Sequence, residues 1–228
     1  MPGLKLSTTL PPEEFKPAPA DIHLGICVQV IDLGTHVTAF RNLKTGAIKS
    51  KHEMRLAFEL PFAKMEDGRP FLVAQKYNNV SLYPTSSFRK VLETWRGKAF
   101  SLKEVETFDM KTVLGAPAMV SVVHNAKDNG TGIWVNINGL TRVGRNPETG
   151  APITPPTPIN PLVFFELTKE RFSRAIFDGL SPKTQDYIMT ASEWSQFEAS
   201  APQPSSAPSA QGPSPSETPW PTDDDIPF

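Results

Sequence analysis

The run HEMRLAFEL, residues 52–60, decides the fold of this chain. Apolar side chains occupy every second position, at Met54, Leu56, Phe58 and Leu60, and this period of two is typical of a β-strand that buries one face. Three of the four residues that alternate with them are charged, namely Glu53, Arg55 and Glu59, so we expect these to lie on the outer face of a sheet. The run therefore predicts an antiparallel strand rather than a helix.

The preceding segment predicts a partner strand. Its apolar residues Leu24, Ile26, Val28 and Val30 alternate in the same way, and we expect them to share one face. A turn signal at residues 44–46 lies between this segment and residues 52–60. The two segments are therefore predicted to form a β-hairpin.

The following segments predict three more strands and one helix. The strands are expected over residues 71–80, 118–124 and 132–140, and Trp134 alternates away from the apolar positions of the last. A helix capped by Ser86 or Ser87 and ended by Gly97 lies between the third and fourth strands. This order predicts a mainly β fold, a five-stranded oligonucleotide-binding (OB-fold) barrel. An unrelated small barrel or an α+β sandwich also fits the order.

Composition divides the chain into four parts. Residues 1–20 form an N-terminal arm, and residues 21–143 form the predicted barrel. Residues 144–197 hold a Pro-rich connection and a helical extension, with one helix predicted to begin at Thr168 and another, which includes Trp194, at Ser181. Residues 198–228 contain eight prolines and six serines and are predicted to be a disordered linker with an acidic tip.

Charge is distributed unevenly along the chain and favours a nucleic-acid partner. Residues 21–143 carry a net charge of +5, and residues 198–228 carry −5. No apolar run is long enough to span a membrane, no secretory signal is visible, and Cys27 has no partner, so we expect a soluble protein of the cytoplasm. We expect no metal and no cofactor. Because no phosphate loop, zinc-protease motif or nucleophile elbow is present, we also expect no enzyme.

Single-strand binding requires cations for the phosphates and aromatic rings for the bases. The outer face of strands two and three and the neighbouring loops would hold such a site on this barrel. The phosphate candidates are Lys44, Lys49, Lys51, Arg55 and Lys76, and the stacking candidates are Tyr77, Tyr83 and Trp134.

Each candidate has an alternative interpretation. The lysines fit an ordinary solvated hairpin, Tyr77 fits the barrel interior, and the extension is able to cover Trp134. Helical spacing places Phe88 and Trp95 in the core rather than among the stacking candidates.

The last six residues combine a compact negative charge with an apolar tip. This composition suits docking into an apolar pocket rimmed by Lys and Arg on a partner protein, and a simple solubility tail does not need the apolar residues. The predicted docking residues are Asp223, Asp224, Asp225, Ile226, Pro227 and Phe228. The charge split also predicts that this acidic segment competes with nucleic acid for the basic domain.

Residues 223–228 resemble the C-terminal peptide of bacterial single-stranded DNA-binding proteins. Segments within residues 25–197, including 55–61, 77–82, 92–97, 114–124 and 160–166, resemble a family of bacteriophage-encoded single-stranded DNA-binding proteins. The resemblance implies coating and protection of single strands in replication, recombination and repair inside a bacterial host cell, with the tip recruiting partner proteins. An RNA- or duplex-binding accessory factor and an adaptor acting through its tail remain open, as does homo-oligomerisation.

Overall fold

The computed structural model describes residues 16–41, 46, 48–127, 130, 132–151 and 153–198. The fold is mainly β. The strands are β1 (Ile22–Arg41), β2 (Ile48–Lys64), β3 (Pro70–Asn78), β4 (Pro117–Ala126), β5 (Ile133–Thr141) and β6 (Val163–Phe165). The helices are α1 (Ser87–Arg96), α2 (Leu102–Thr107), α3 (Arg174–Asp178), α4 (Pro182–Met189) and α5 (Ser195–Glu198), with a short 3-10 helix at Met110–Val113.

The six strands form one sheet. Its hydrogen-bonded order is β3-β2-β1-β4-β5, all antiparallel, and β6 pairs with β1 in parallel. The predicted order of three strands, a helix and two strands is confirmed. Over the described residues no ladder pairs β3 with β5, so the sheet is not closed.

The helix between β3 and β4 begins and ends where the sequence predicts. The Ser86 hydroxyl accepts a hydrogen bond from the Arg89 amide, and Gly97 closes α1 in the left-handed conformation at φ 71°. Phe88, Leu92 and Trp95 are its buried residues. The helix therefore packs against the sheet with the face that its apolar spacing indicates.

The inner core lies between α1 and one face of the sheet. Met54, Leu56, Phe58 and Leu60 all belong to it, as the alternation of β2 predicts. The remaining buried members of this inner core are Ala18, Cys27, Val30, Val73, Phe88, Leu92, Trp95, Phe100, Val113, Ala118, Val120, Val122, Val135, Ile137 and Leu140.

The expected single face of Leu24, Ile26, Val28 and Val30 is wrong. The register of β1 on β2 shifts between Cys27 and Gln29, so Val28 has no opposite residue in the ladder. Cys27 and Val30 therefore both belong to the inner core although they are three residues apart. A bulge of this kind leaves no trace in a simple period of two.

A second, outer core lies on the opposite face of the sheet. Ile31 and Leu33 of β1 pack there with residues that come after position 160 in the chain. These are Phe165, Leu167, Phe177, Leu180, Ile188, Ala191, Trp194 and Phe197. Residues 159–198, here called the extension, thus cover a face that the sequence predicts to be exposed.

The helices of the extension differ in part from the prediction. The expected helix start at Thr168 is wrong, because that residue begins only a turn and α3 is capped by Ser173. The start of α4 is confirmed, with the Ser181 hydroxyl accepting from the Thr184 amide and Pro182 in the first turn. Trp194 lies after α4 rather than within it.

Candidate nucleic-acid interface

The outer face of β2 is buried under the extension. Glu59 is only 1% exposed, and its carboxylate accepts hydrogen bonds from the backbone amides of Ile159 and Asn160 at 2.7–3.0 Å. The Asn160 side-chain amide donates a further bond of 2.8 Å. Because a buried carboxylate is costly without such donors, Glu59 acts as a fixed attachment point for the extension.

Two predicted phosphate contacts lie in the same covered face. Arg55 is 5% exposed and donates to the Thr184 hydroxyl of α4 at 3.0 Å. Lys76 of β3 forms an ion pair of 3.0 Å with Glu53, and its ammonium also lies 3.3 Å from the Tyr187 hydroxyl. In this arrangement both cations bind the extension instead of facing solvent.

The Glu53 carboxylate accepts hydrogen bonds from the side chains of Tyr187 and Lys76. The Tyr187 hydroxyl donates to the Glu53 carboxylate at 2.6 Å, beside the Lys76 ion pair. Burial raises the pKa of Glu53, but the hydrogen bonds from Tyr187 and Lys76 outweigh it and hold the pKa below its usual value. Burial and the bond to Glu53 raise the pKa of Tyr187. The tyrosine therefore remains a neutral donor at neutral pH.

Residues 32–35 of β1 also bind the extension. Asp32 accepts from the Leu167 amide at 3.1 Å and lies 3.0 Å from the His52 ring. The Thr35 amide donates to the Glu193 carboxylate at 2.9 Å. The hydrogen bond to Asp32 raises the pKa of His52 above 6.5, against the opposing effect of burial.

The predicted stacking residues divide among three environments. The Tyr77 ring packs edge-on against Phe88 at a centroid distance of 5.3 Å, beside the inner core, and burial raises its hydroxyl pKa. Tyr83 is 70% exposed in the loop between β3 and α1. Trp134 is half-buried on β5. Tyr77 thus contributes to packing in this structure, whereas Tyr83 and Trp134 reach solvent.

Trp134 lies beside a cation that sequence analysis missed. Val135 and Ile137 of β5 face the inner core. Because side chains alternate along a strand, Trp134 lies on the outer side of β5, where it is opposite Asn125 of β4. The Lys127 ammonium lies 4.3 Å from the centre of the indole ring. The result is an aromatic face and a positive charge at one place. Trp134, Lys127 and Asn125 are called the open surface below.

Lys127 could have been identified from the sequence. It comes just before the turn signal Asn129-Gly130, and Trp134 follows the same turn. A hairpin between β4 and β5 brings the two residues together. The signal was the position of the lysine relative to the turn, rather than any local clustering of basic residues.

The remaining predicted cations lie at the other end of the sheet. Lys49 is exposed and Lys51, opposite His36, is half-buried. Trp134 lies beyond the opposite end of β1, because Ile22 already pairs with Ser121 and Asn125 comes four residues later on β4. The structure therefore does not bring the hairpin lysines and Trp134 together. Lys44 and residues Asp223, Asp224, Asp225, Ile226, Pro227 and Phe228 lie outside the described residues.

No group of three or more His, Cys, Asp and Glu is arranged to hold a metal ion within the part of the chain that the structure describes. No helix among the residues that the structure describes is long and apolar enough to cross a membrane. Comparison with family models, with curated proteins and with solved structures finds no significant match to this chain.

Proposed function

We propose that this chain binds single-stranded DNA without sequence specificity and protects it during replication, recombination and repair. The observation that carries this proposal is the open surface, where the Lys127 ammonium lies 4.3 Å from the centre of the half-buried Trp134 ring. A base stacks on such a ring whatever its identity, and the neighbouring cation is suited to its phosphate. Asn125 adds a polar side chain opposite the ring.

The strand order supports the same proposal. The order β3-β2-β1-β4-β5, with α1 between β3 and β4, is that of an OB-fold in which β3 and β5 come together. The Ile137 amide of β5 donates a hydrogen bond of 3.3 Å to the Gln75 side chain of β3. We propose that these edges close an OB-fold barrel through side-chain contacts rather than through a backbone ladder.

The binding path differs from the one that the sequence suggests. Arg55 donates a hydrogen bond to Thr184 of α4. Lys76 contacts Glu53 of β2 and Tyr187 of α4, so the extension occupies the middle of the expected groove. We propose that the strand crosses the open surface while the extension stays in place. Residues 223–228 then recruit partner proteins through their aspartates and apolar side chains, as their sequence suggests.

The test is a fluorescence-anisotropy titration of labelled oligo-dT, duplex DNA and single-stranded RNA at two salt concentrations. We expect preferential binding to oligo-dT that weakens with salt. Trp134→Ala should weaken oligo-dT binding by about 1–3 kcal/mol, which is roughly five- to 150-fold in Kd. Phe62→Ala is the matched control, because Phe62 is an exposed aromatic residue of β2 outside the open surface.

Two results would overturn the proposed function. One is the absence of binding to oligo-dT at low salt. The other is equal loss of affinity in the Trp134 and Phe62 variants, since base stacking at the open surface predicts a loss at Trp134 alone. Tighter binding to RNA or to duplex than to oligo-dT would assign the chain to a different nucleic acid.

A further inference from the structure

The β1–β2 hairpin extends beyond the part of the sheet that the extension covers. The ladder of this further part begins at the pair His36–Lys51, where His36 is still covered by the stacked Tyr187 ring at a centroid distance of 4.2 Å, and continues through the pairs Val37–Ser50 and Arg41–Ile48. These paired residues of β1 and β2, together with Lys49, are called the ribbon. The ribbon begins next to the last contacts of the extension, where the Thr190 hydroxyl lies 3.3 Å from His36.

The hairpin sequence that contains the ribbon is basic. Residues 36–51 contain four Lys and Arg side chains and no Asp or Glu. In contrast, the outer face next to it holds the carboxylates Glu53 and Glu59, which are buried against the extension. A segment that carries basic side chains and no acidic ones of its own is suited to a polyanion.

The two faces of the ribbon differ in chemistry. Lys49 and Lys51 continue the face of Glu53 and Arg55, because side chains alternate along β2. Ile48 lies on the opposite face, as does Val37, whose partner is Ser50. Val37 and Ile48 are 69% and 54% exposed. The ribbon thus presents lysines on one side and exposed aliphatic side chains on the other.

We propose that the ribbon is a binding arm for double-stranded DNA. A two-stranded β-ribbon has the width of a duplex groove, lysines contact the phosphates along its walls, and aliphatic side chains pack on bases or sugars inside. Trp134 of the open surface lies at the opposite end of the sheet. The chain therefore binds a junction, with the duplex on the ribbon and the adjoining single strand on the open surface.

The experiment compares three labelled DNAs with the full-length chain: a blunt hairpin duplex, oligo-dT, and the same duplex carrying an oligo-dT arm. We expect the junction to bind at least about tenfold more tightly than either part, because the second contact becomes intramolecular. In Lys49→Ala/Lys51→Ala, the slope of log K against log salt should fall by about 2 for the duplex and the junction, and stay unchanged for oligo-dT.

The matched control is Lys90→Ala/Lys103→Ala, which removes two exposed lysines from α1 and α2. Its affinities for all three DNAs should change only by the small amount that the loss of two positive charges causes anywhere on the surface. Circular dichroism of both double variants checks that they are folded. Equal loss in the two double variants would overturn the ribbon assignment, as would a junction that binds no more tightly than oligo-dT.

The failure of this assignment is distinguishable from the failure of single-strand binding. Duplex binding through Lys49 and Lys51 without oligo-dT binding would contradict the proposed function and leave the ribbon assignment standing. Oligo-dT binding through Trp134 with no added affinity for the junction would contradict the ribbon assignment and leave the proposed function standing.

Discussion

The outer faces of β2 and β5 show the same alternation in sequence and different environments in the structure. On β2, Glu59 and Arg55 are 1% and 5% exposed, because the extension binds them. On β5, Trp134 is half-buried and is accompanied by Lys127. An outward-facing position in a strand is therefore a surface position only where no later segment of the chain packs on it.

The contrast also separates charged side chains that attach the extension to the sheet from charged side chains that lie outside this contact. Glu53, Glu59 and Lys76 are held in defined hydrogen bonds that attach the extension to the sheet. Lys127 and Lys49 lie outside this interface. Basic residues that appear equivalent in the sequence thus divide into those that contact the extension and those that do not, and substitutions should separate the two groups.

The largest expected effect comes from removing a ring of the outer core. Trp194→Ala should lower the free energy of unfolding by about 3–5 kcal/mol, because Trp194 is buried against Phe177 at a centroid distance of 4.6 Å. Chemical denaturation measures this change. Phe62→Ala, at an exposed position, should change stability by less than about 0.5 kcal/mol. Equal effects of the two substitutions would contradict the presence of an outer core.

The next effect distinguishes a structural lysine from a binding one. Lys76→Ala leaves the buried Glu53 carboxylate without its ion-pair partner but with its Tyr187 hydrogen bond, and should cost about 1.5–3 kcal/mol of stability. The affinity of the folded protein for oligo-dT should remain within about twofold, since Lys76 faces Tyr187 and Glu53. Denaturation and anisotropy together test this. A stable Lys76→Ala variant with strongly weakened oligo-dT binding would restore the expected groove on β3.

The sequence predicts the local elements well because their signals are local. The alternation in residues 52–60, the Ser86 cap, the Gly97 end and the Ser181-Pro182 start each depend on neighbouring residues, and the structure contains all four. The bulge at Val28 is not predictable from alternation, since it depends on the pairing of β1 with β2.

The candidate site is less predictable because burial depends on distant residues. Arg55 contacts Thr184, 129 positions later, and Glu59 contacts Asn160, 101 positions later. No local pattern indicates such contacts. Trp134 was identified by alternation alone, while Lys127 required the hairpin between β4 and β5 to be considered as a pair.

A smaller effect is expected at the open surface. Lys127→Ala should reduce the slope of log K against log salt for oligo-dT by about 0.7, because one phosphate contact to a single strand is lost. Lys103→Ala, an exposed lysine of α2, is the control and should leave the slope unchanged. Anisotropy titrations over a series of salt concentrations measure both. An unchanged slope in Lys127→Ala would place the phosphates elsewhere.

The smallest effect is a pH dependence of the extension. His52 has a folded pKa above 6.5, so its protonated form stabilises the fold. This contribution is complete below pH 6.5, the ordinary value, and is lost as the pH rises through the raised folded value. Thermal melting of the native chain and of His52→Gln should therefore differ most below pH 6.5 and converge at higher pH. A difference that grows with pH would contradict the Asp32–His52 contact.

Hydrogen exchange of the full-length chain with and without saturating oligo-dT tests the central claim most directly. The claim is that single strands bind the open surface while the extension remains docked. We expect added protection in peptides covering residues 121–136 and unchanged protection in residues 159–197. Loss of protection in residues 159–197, with new protection in residues 71–78 of β3, would show that the strand displaces the extension and would contradict the account.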